Sequence, residues 1–159
     1  MGATVLTAMS PVATTSGTFV DSGTIPTWAK RISILFNGVS SNGTVDWQLQ
    51  LGLGATIYNT GYNSVVQNQN GSSTSGSTIG FIVTLSNAIT DLYYGQVVLT
   101  NYSGFNWSVA GMLTGGTTNQ QFRYMAGIAT VTGLVDKVRL TTTAGVNTFD
   151  AGSISIVYE

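Results

Sequence analysis

The chain has 159 residues, five Lys and Arg, six Asp and Glu, a net charge of −1, and neither His nor Cys. Composition therefore excludes disulfides, thiolate chemistry, Ser-His and Cys-His pairs and His-ligated metal sites. Only 7% of residues are charged while 43% are hydrophobic: such a chain is expected to fold, not to bind nucleic acid, and not to insert in a membrane, since no apolar run nears ~18 residues.

Residues 1–16 are Thr- and Ala-rich and weakly patterned, and they read as an arm or attachment segment ahead of one domain over 17–159. Met1–Ser10 lacks the basic start and apolar stretch of a signal peptide. From there the dominant signal is period-two alternation, with no sustained helical stripe. A weak strand is expected over Gly17–Asp21. Trp28–Phe36 sets Trp28, Ile32, Ile34 and Phe36 on one face, with Lys30 as the exception. Val45–Leu53 sets Val45, Trp47, Leu49, Leu51 and Leu53 against Asp46, Gln48, Gln50 and Gly52, the pattern of a half-buried antiparallel strand. Asn68–Thr78 is low in complexity and reads as a long flexible loop or a hairpin tip. Phe81, Val83 and Leu85 form the next apolar face, and a weaker strand follows over Gly95–Asn101. Phe105, Trp107 and Val109 oppose Asn106, Ser108 and Ala110. A second polar loop spans Gly115–Gln121, with a weaker strand over Tyr124–Val131. Leu134, Val138 and Leu140 alternate with Val135, Lys137, Arg139 and Thr141. The last strand, Ser153–Tyr158, sets Ile154, Ile156 and Tyr158 against Ser153, Ser155 and Val157. Asn37-Gly38, Asn42-Gly43 and Asn70-Gly71 supply the positive φ of tight turns. About eight to ten short strands at this spacing predict an all-β sandwich or barrel.

The six acids offer little to catalysis. Asp91, Asp136 and Asp150 fall at turns or strand starts, where Asp commonly accepts local backbone hydrogen bonds. No acidic cluster has metal-ligand spacing, and no Gly-rich phosphate loop precedes a helix, so no enzyme, metal or cofactor is expected. The aromatics say more. Trp28, Phe36, Trp47, Phe81, Phe105 and Trp107 are expected in the core. Tyr58, Tyr62, Tyr93, Tyr94 and Tyr124 fit a core register less cleanly and sit close to turns. Tyr among Asn, Gln, Ser and Thr suits an adaptable recognition surface. The expected ligand-binding set is Tyr58, Tyr62, Tyr93 and Tyr94 with Asn68, Gln69 and Asn70 of the polar loop.

Several stretches carry a resemblance. Ile25-Pro26-Thr27-Trp28-Ala29-Lys30-Arg31-Ile32 runs into Phe36-Asn37-Gly38-Val39-Ser40-Ser41-Asn42-Gly43. Gln50-Leu51-Gly52, Thr60-Gly61-Tyr62 and the closing Thr148-Phe149-Asp150-Ala151-Gly152-Ser153-Ile154-Ser155-Ile156-Val157-Tyr158-Glu159 follow. Together they resemble the C-terminal domain of tailed-bacteriophage tail fibre proteins, over about residues 17–159. The resemblance implies a compact antiparallel β-sandwich, jelly-roll-like and homotrimeric, at the tip of a fibre. It implies partners among other virion proteins and on the bacterial surface, a glycan or an outer-membrane protein, and location in the virion. It brings no catalytic residues. A capsid or tail decoration (cement) protein and a polysaccharide-cleaving enzyme are the alternatives, the first because the chain begins almost at the domain.

Overall fold

A computed structural model describes residues 5–69, 73–85, 87–116 and 121–159, and every regular element among them is a β-strand. In chain order these are β1 (Thr7–Ala8), β2 (Val12–Ala13), β3 (Phe19–Asp21), β4 (Arg31–Ser41), β5 (Trp47–Leu53), β6 (Thr56–Ile57) and β7 (Tyr62–Asn68). They continue as β8 (Thr74–Ser77), β9 (Phe81–Ile82), β10 (Tyr93–Ser103), β11 (Asn106–Gly115), β12 (Gln121–Thr130), β13 (Lys137–Thr142) and β14 (Phe149–Tyr158). All pairings are antiparallel. The larger sheet runs β1-β14-β4-β10-β11-β12-β7-β8, with β2 also on β14. The smaller sheet runs β3-β13-β5-β6, with β9 also on β5. The all-β reading holds.

The two sheets share a single core. Ile32, Ile34 and Phe36 of β4, Val97 and Leu99 of β10, and Trp107 and Val109 of β11 face Trp47, Leu49 and Leu51 of β5 and Val138 and Leu140 of β13 in one buried cluster. Edge-to-face rings anchor it: Trp47 lies 4.9 Å from Tyr93 and 5.3 Å from Phe149, and Tyr62 lies 4.9 Å from Phe81. Such pairs add roughly 0.5–1.5 kcal/mol each beyond the area they bury. The arm crosses the flank of β14. Met9 N–H donates to Ile156 O, Thr14 N–H to Gly152 O, and Thr14 Oγ1 to Ala151 O at 2.6 Å.

Five expectations are corrected. Trp28 is 61% exposed, because it occupies a turn before β4 and packs its edge on Tyr158 at 5.9 Å. Phe105 is exposed in the tight β10–β11 connection, and Leu134 is exposed in the loop before β13. Strand β5 is buried on both faces. The 77–80 segment covers Gln48 and Gln50, so that Ser77 Oγ donates to Gln48 Oε1 and Gln50 Nε2 donates to Ile79 O. Asn37-Gly38 is a bulge within β4: Tyr93 pairs with Val39 and Tyr94 with Asn37, leaving Gly38, at φ 65°, as the extra residue. The polar stretch from Asn68 holds the end of β7 and all of β8; Asn70-Gly71 lies outside the described residues, as do 117–120 of the second polar loop.

Candidate functional site

The antiparallel ladders bring the outward residues of β4, β10, β11, β12 and β7 into cross-strand rows on the outer face of the larger sheet. The uppermost row is Asn37, Tyr94, Thr114 and Phe122. Below it lie Leu35, Gln96, Met112, Tyr124 and Gln67, then Ser33, Val98, Ala110, Ala126 and Val65. The lowest row is Arg31, Thr100, Ser108, Ile128 and Asn63. Arg31 is the single charged residue in these four rows, and it is paired with Glu159 at 3.1 Å.

The upper end of this face is a strip of aromatic and amide side chains. Tyr94, Phe122 and Tyr124 are all exposed, and the Phe122 and Tyr124 rings lie 6.3 Å apart. Gln69, just beyond β7, is tied to it: Gln69 N–H donates to Phe122 O and Phe122 N–H donates to Gln69 Oε1. Tyr94 leans over the Gly38 bulge, where a side chain would meet its hydroxyl at 3.3 Å. Exposed rings with amide neighbours and no charge can stack on the C–H faces of sugars and hydrogen-bond their hydroxyls.

The expected binding residues do not converge. Tyr94 and Gln69 reach the strip, and Asn70 lies outside the described residues. Tyr58, Tyr62 and Tyr93 are buried, which overturns their assignment to an exposed surface. Each hydroxyl is spent inside the fold: Tyr58 donates to Leu134 O, and Tyr62 donates to Tyr58 O and accepts from Leu51 N–H at 2.8 Å. Tyr93 donates to Asn87 Oδ1 at 2.7 Å. Burial pushes all three hydroxyls above the ordinary tyrosine range. The Asp136 carboxylate adds to the effect at Tyr58, and the Arg123 guanidinium partly opposes it at Tyr93. Asn68 also points inward, beside its strand partner Arg123, and its Oδ1 is buried without a hydrogen-bond partner among the described residues.

Phe122, Gln96 and Met112 belong to the face but were not singled out from the sequence. The alternation Phe122, Tyr124, Ala126, Ile128 against Arg123, Met125, Gly127, Ala129 held the signal. Arg123 breaks it, as a buried cation whose Nε donates to Leu85 O and whose guanidinium lies 5.9 Å from the Tyr93 ring centre.

The acids are engaged elsewhere. Asp21 takes a bidentate pair from Arg139 at 2.6 and 2.9 Å, and Asp136 accepts from Gly54 N–H at 2.9 Å. Asp91 accepts from Ala88 N–H, and Asp150 from Ser40 Oγ. Among the described residues no three acids gather as a metal site would require. No protein family matches this chain, and no curated protein matches it.

Proposed function

We propose that this chain is a non-catalytic recognition protein of a bacteriophage virion: a jelly-roll-like β-sandwich, homotrimeric, acting as a tail fibre tip that binds a glycan on the bacterial surface. The observation that carries the reading is the exposed, uncharged strip of Tyr94, Phe122, Tyr124, Gln96 and Gln69 on a rigid sheet. The tail-fibre pattern at residues 25–43 and 148–159 supports the virion assignment. Sites built on strands hold their rings in place, so little ordering entropy is lost on binding. Single-site affinity through stacking is weak, and three copies raise it by effective concentration. The structural engagement of Asp21, Asp91, Asp136, Asp150 and Glu159 supports binding without catalysis over the polysaccharide-cleaving alternative.

The test is Tyr94→Ala with Tyr124→Ala, read on a glycan array and by adsorption of particles to host cells. Loss of two stacking rings costs about 2 kcal/mol, or roughly thirtyfold per site. Binding and adsorption fall together while the melting temperature holds. Unchanged glycan binding and adsorption in the double variant would refute the assignment. One observation favours the decoration-protein reading: Val5 and Leu6, ahead of β1, are both exposed apolar residues. That reading expects their replacement by Ser to weaken the particle and to leave adsorption alone.

A further inference from the structure

Two Asn-Gly pairs fall among the described residues, and the fold treats them differently. Both asparagines are exposed, so access to water does not separate them. Asn37-Gly38 is locked in the larger sheet, where Asn37 pairs with Tyr94 of β10 on one side and Ser153 of β14 on the other. Asn42-Gly43 lies beyond the last residue of β4, in the connection to β5, and no ladder fixes its backbone.

Asn42 makes two bonds to one residue. Its N–H donates to Thr148 O at 2.9 Å, and its Oδ1 accepts from Thr148 N–H at 2.9 Å. The second bond aims a backbone donor at the oxygen that gathers negative charge when Cγ is attacked, at a distance suited to an oxyanion. The nearest nucleophile is the next backbone nitrogen. Gly43 N–H has no acceptor among the described residues, so no hydrogen bond must break before it reacts. The packing also explains why glycine stands here. A Cβ at 43 would lie 1.9 Å from Asn147 Nδ2 and 2.3 Å from its Cγ, and the φ of Gly43 is not positive, so the space Asn147 fills is what favours glycine. Asn147 Oδ1 is itself buried without a partner among the described residues. The turn thus holds an idle donor and an idle acceptor, and it gives up little when it rearranges.

We propose that Asn42 is a site of spontaneous deamidation in the folded protein, promoted by Thr148 N–H. Gly43 N attacks Asn42 Cγ and a C–N bond forms. Gly43 N loses its proton, and the side-chain nitrogen leaves as ammonia. The product is a five-membered succinimide that spans the two residues. Water then opens the ring. Addition at Cγ leaves aspartate at position 42, and addition at the main-chain carbonyl leaves isoaspartate. Either product adds one negative charge to a chain whose net charge is −1. Aspartate keeps an acceptor for Thr148 N–H. Isoaspartate puts an extra methylene into the β4–β5 connection and shifts Gly43 against Asn147. This chemistry does not depend on the function proposed above.

Peptide mapping by mass spectrometry, with isoaspartate assayed by enzymatic methylation, follows both pairs in the intact chain. The chain is held in mildly alkaline buffer, either folded or unfolded in urea, and Asn42→Asp supplies the standard for the aspartate product. In urea the two pairs are expected to convert at matching rates, since each is then Asn-Gly in an open chain. In the folded chain Asn42 is expected to convert at least about tenfold faster than Asn37 and no slower than in urea, a small part of the roughly 10²–10³-fold that one oriented donor can supply. An Asn42 that stays intact in the folded chain, or that converts no faster than Asn37, overturns the proposal. A folded rate at Asn42 below its rate in urea, with Asn37 protected further still, upholds the site and overturns the promoting role of Thr148 N–H.

Discussion

Tyr93 and Tyr94 are neighbours in sequence, and Tyr93→Phe measures how far alternation separates them. Tyr93 is 0% exposed and Tyr94 is 43% exposed. The Tyr93 hydroxyl donates to Asn87 Oδ1 at 2.7 Å. Asn87 commits its Nδ2 to Val45 O and Thr84 Oγ1, each at 2.9 Å, and Thr84 Oγ1 also accepts from Trp47 N–H at 2.8 Å. Phenylalanine keeps the ring and its contact with Trp47, so no large cavity forms. What is lost is the only described donor to a buried carbonyl, at a cost of about 1–3 kcal/mol. In a chain of this length about 2 kcal/mol lowers the melting temperature by roughly 4–8 °C. Tyr94→Phe is the control, with a change within about 0.5 kcal/mol expected for an exposed position. Calorimetry and urea melts of both variants make the measurement. A Tyr93→Phe protein that melts with the wild type, or a Tyr94→Phe protein that falls as far, would refute the reasoning.

Alkaline pH should destabilise the fold. Tyr62 and Tyr93 hold their protons above the ordinary range in the native state, whereas the unfolded chain releases them near pH 10, so stability falls as pH rises beyond about 10. Tyr62→Phe should flatten that slope in melts taken from neutral to alkaline pH. At Gly61, φ is 85° and an added Cβ would strike the Thr130 carbonyl, so Gly61→Ala should cost about 2–4 kcal/mol in urea melts. Gly54→Ala, at φ 58° with open space around it, should cost only about 1 kcal/mol. Asp21→Asn weakens the Arg139 pair, and with both partners partly exposed a loss of about 1 kcal/mol is expected. Glycan binding at the uncharged strip should change little between about 0.1 and 1 M salt, conditions that would strongly screen exposed ion pairs.

Strands whose outward residues are polar were legible. In β11, Trp107 and Val109 point in while Asn106, Ser108 and Ala110 do not, and the alternation reads directly. In β7 it is blurred. Tyr62, Ser64, Val66 and Asn68 point inward and Val65 points outward, so apolar residues occur on both faces and polar ones on the buried face. The polar tail of that strand was absorbed into a low-complexity loop for the same reason. Strand β5 shows the opposite failure: its Gln face is as buried as its Trp-Leu face, because a segment some thirty residues later folds over it. No local window contains that information. The tyrosines were misjudged because a buried hydroxyl needs a partner that only tertiary structure supplies, such as Leu134 O for Tyr58. Tyr94 and Gln69 reached the proposed site, and Phe122 came with them through the β7–β12 pairing, which sequence spacing does not reveal.

The arm has a mechanical consequence. Thr7 and Ala8 pair with Tyr158 and Val157, Val12 with Ile154, and Thr14 is clamped to Ala151 and Gly152. Tension applied at residue 5 meets these attachments one after another, so the arm peels from β14 in steps and Thr14 yields last. The strands behind β14 stay paired while these attachments open. Under such a load the arm would lengthen by about 3.3 Å per residue released while the core keeps its shape.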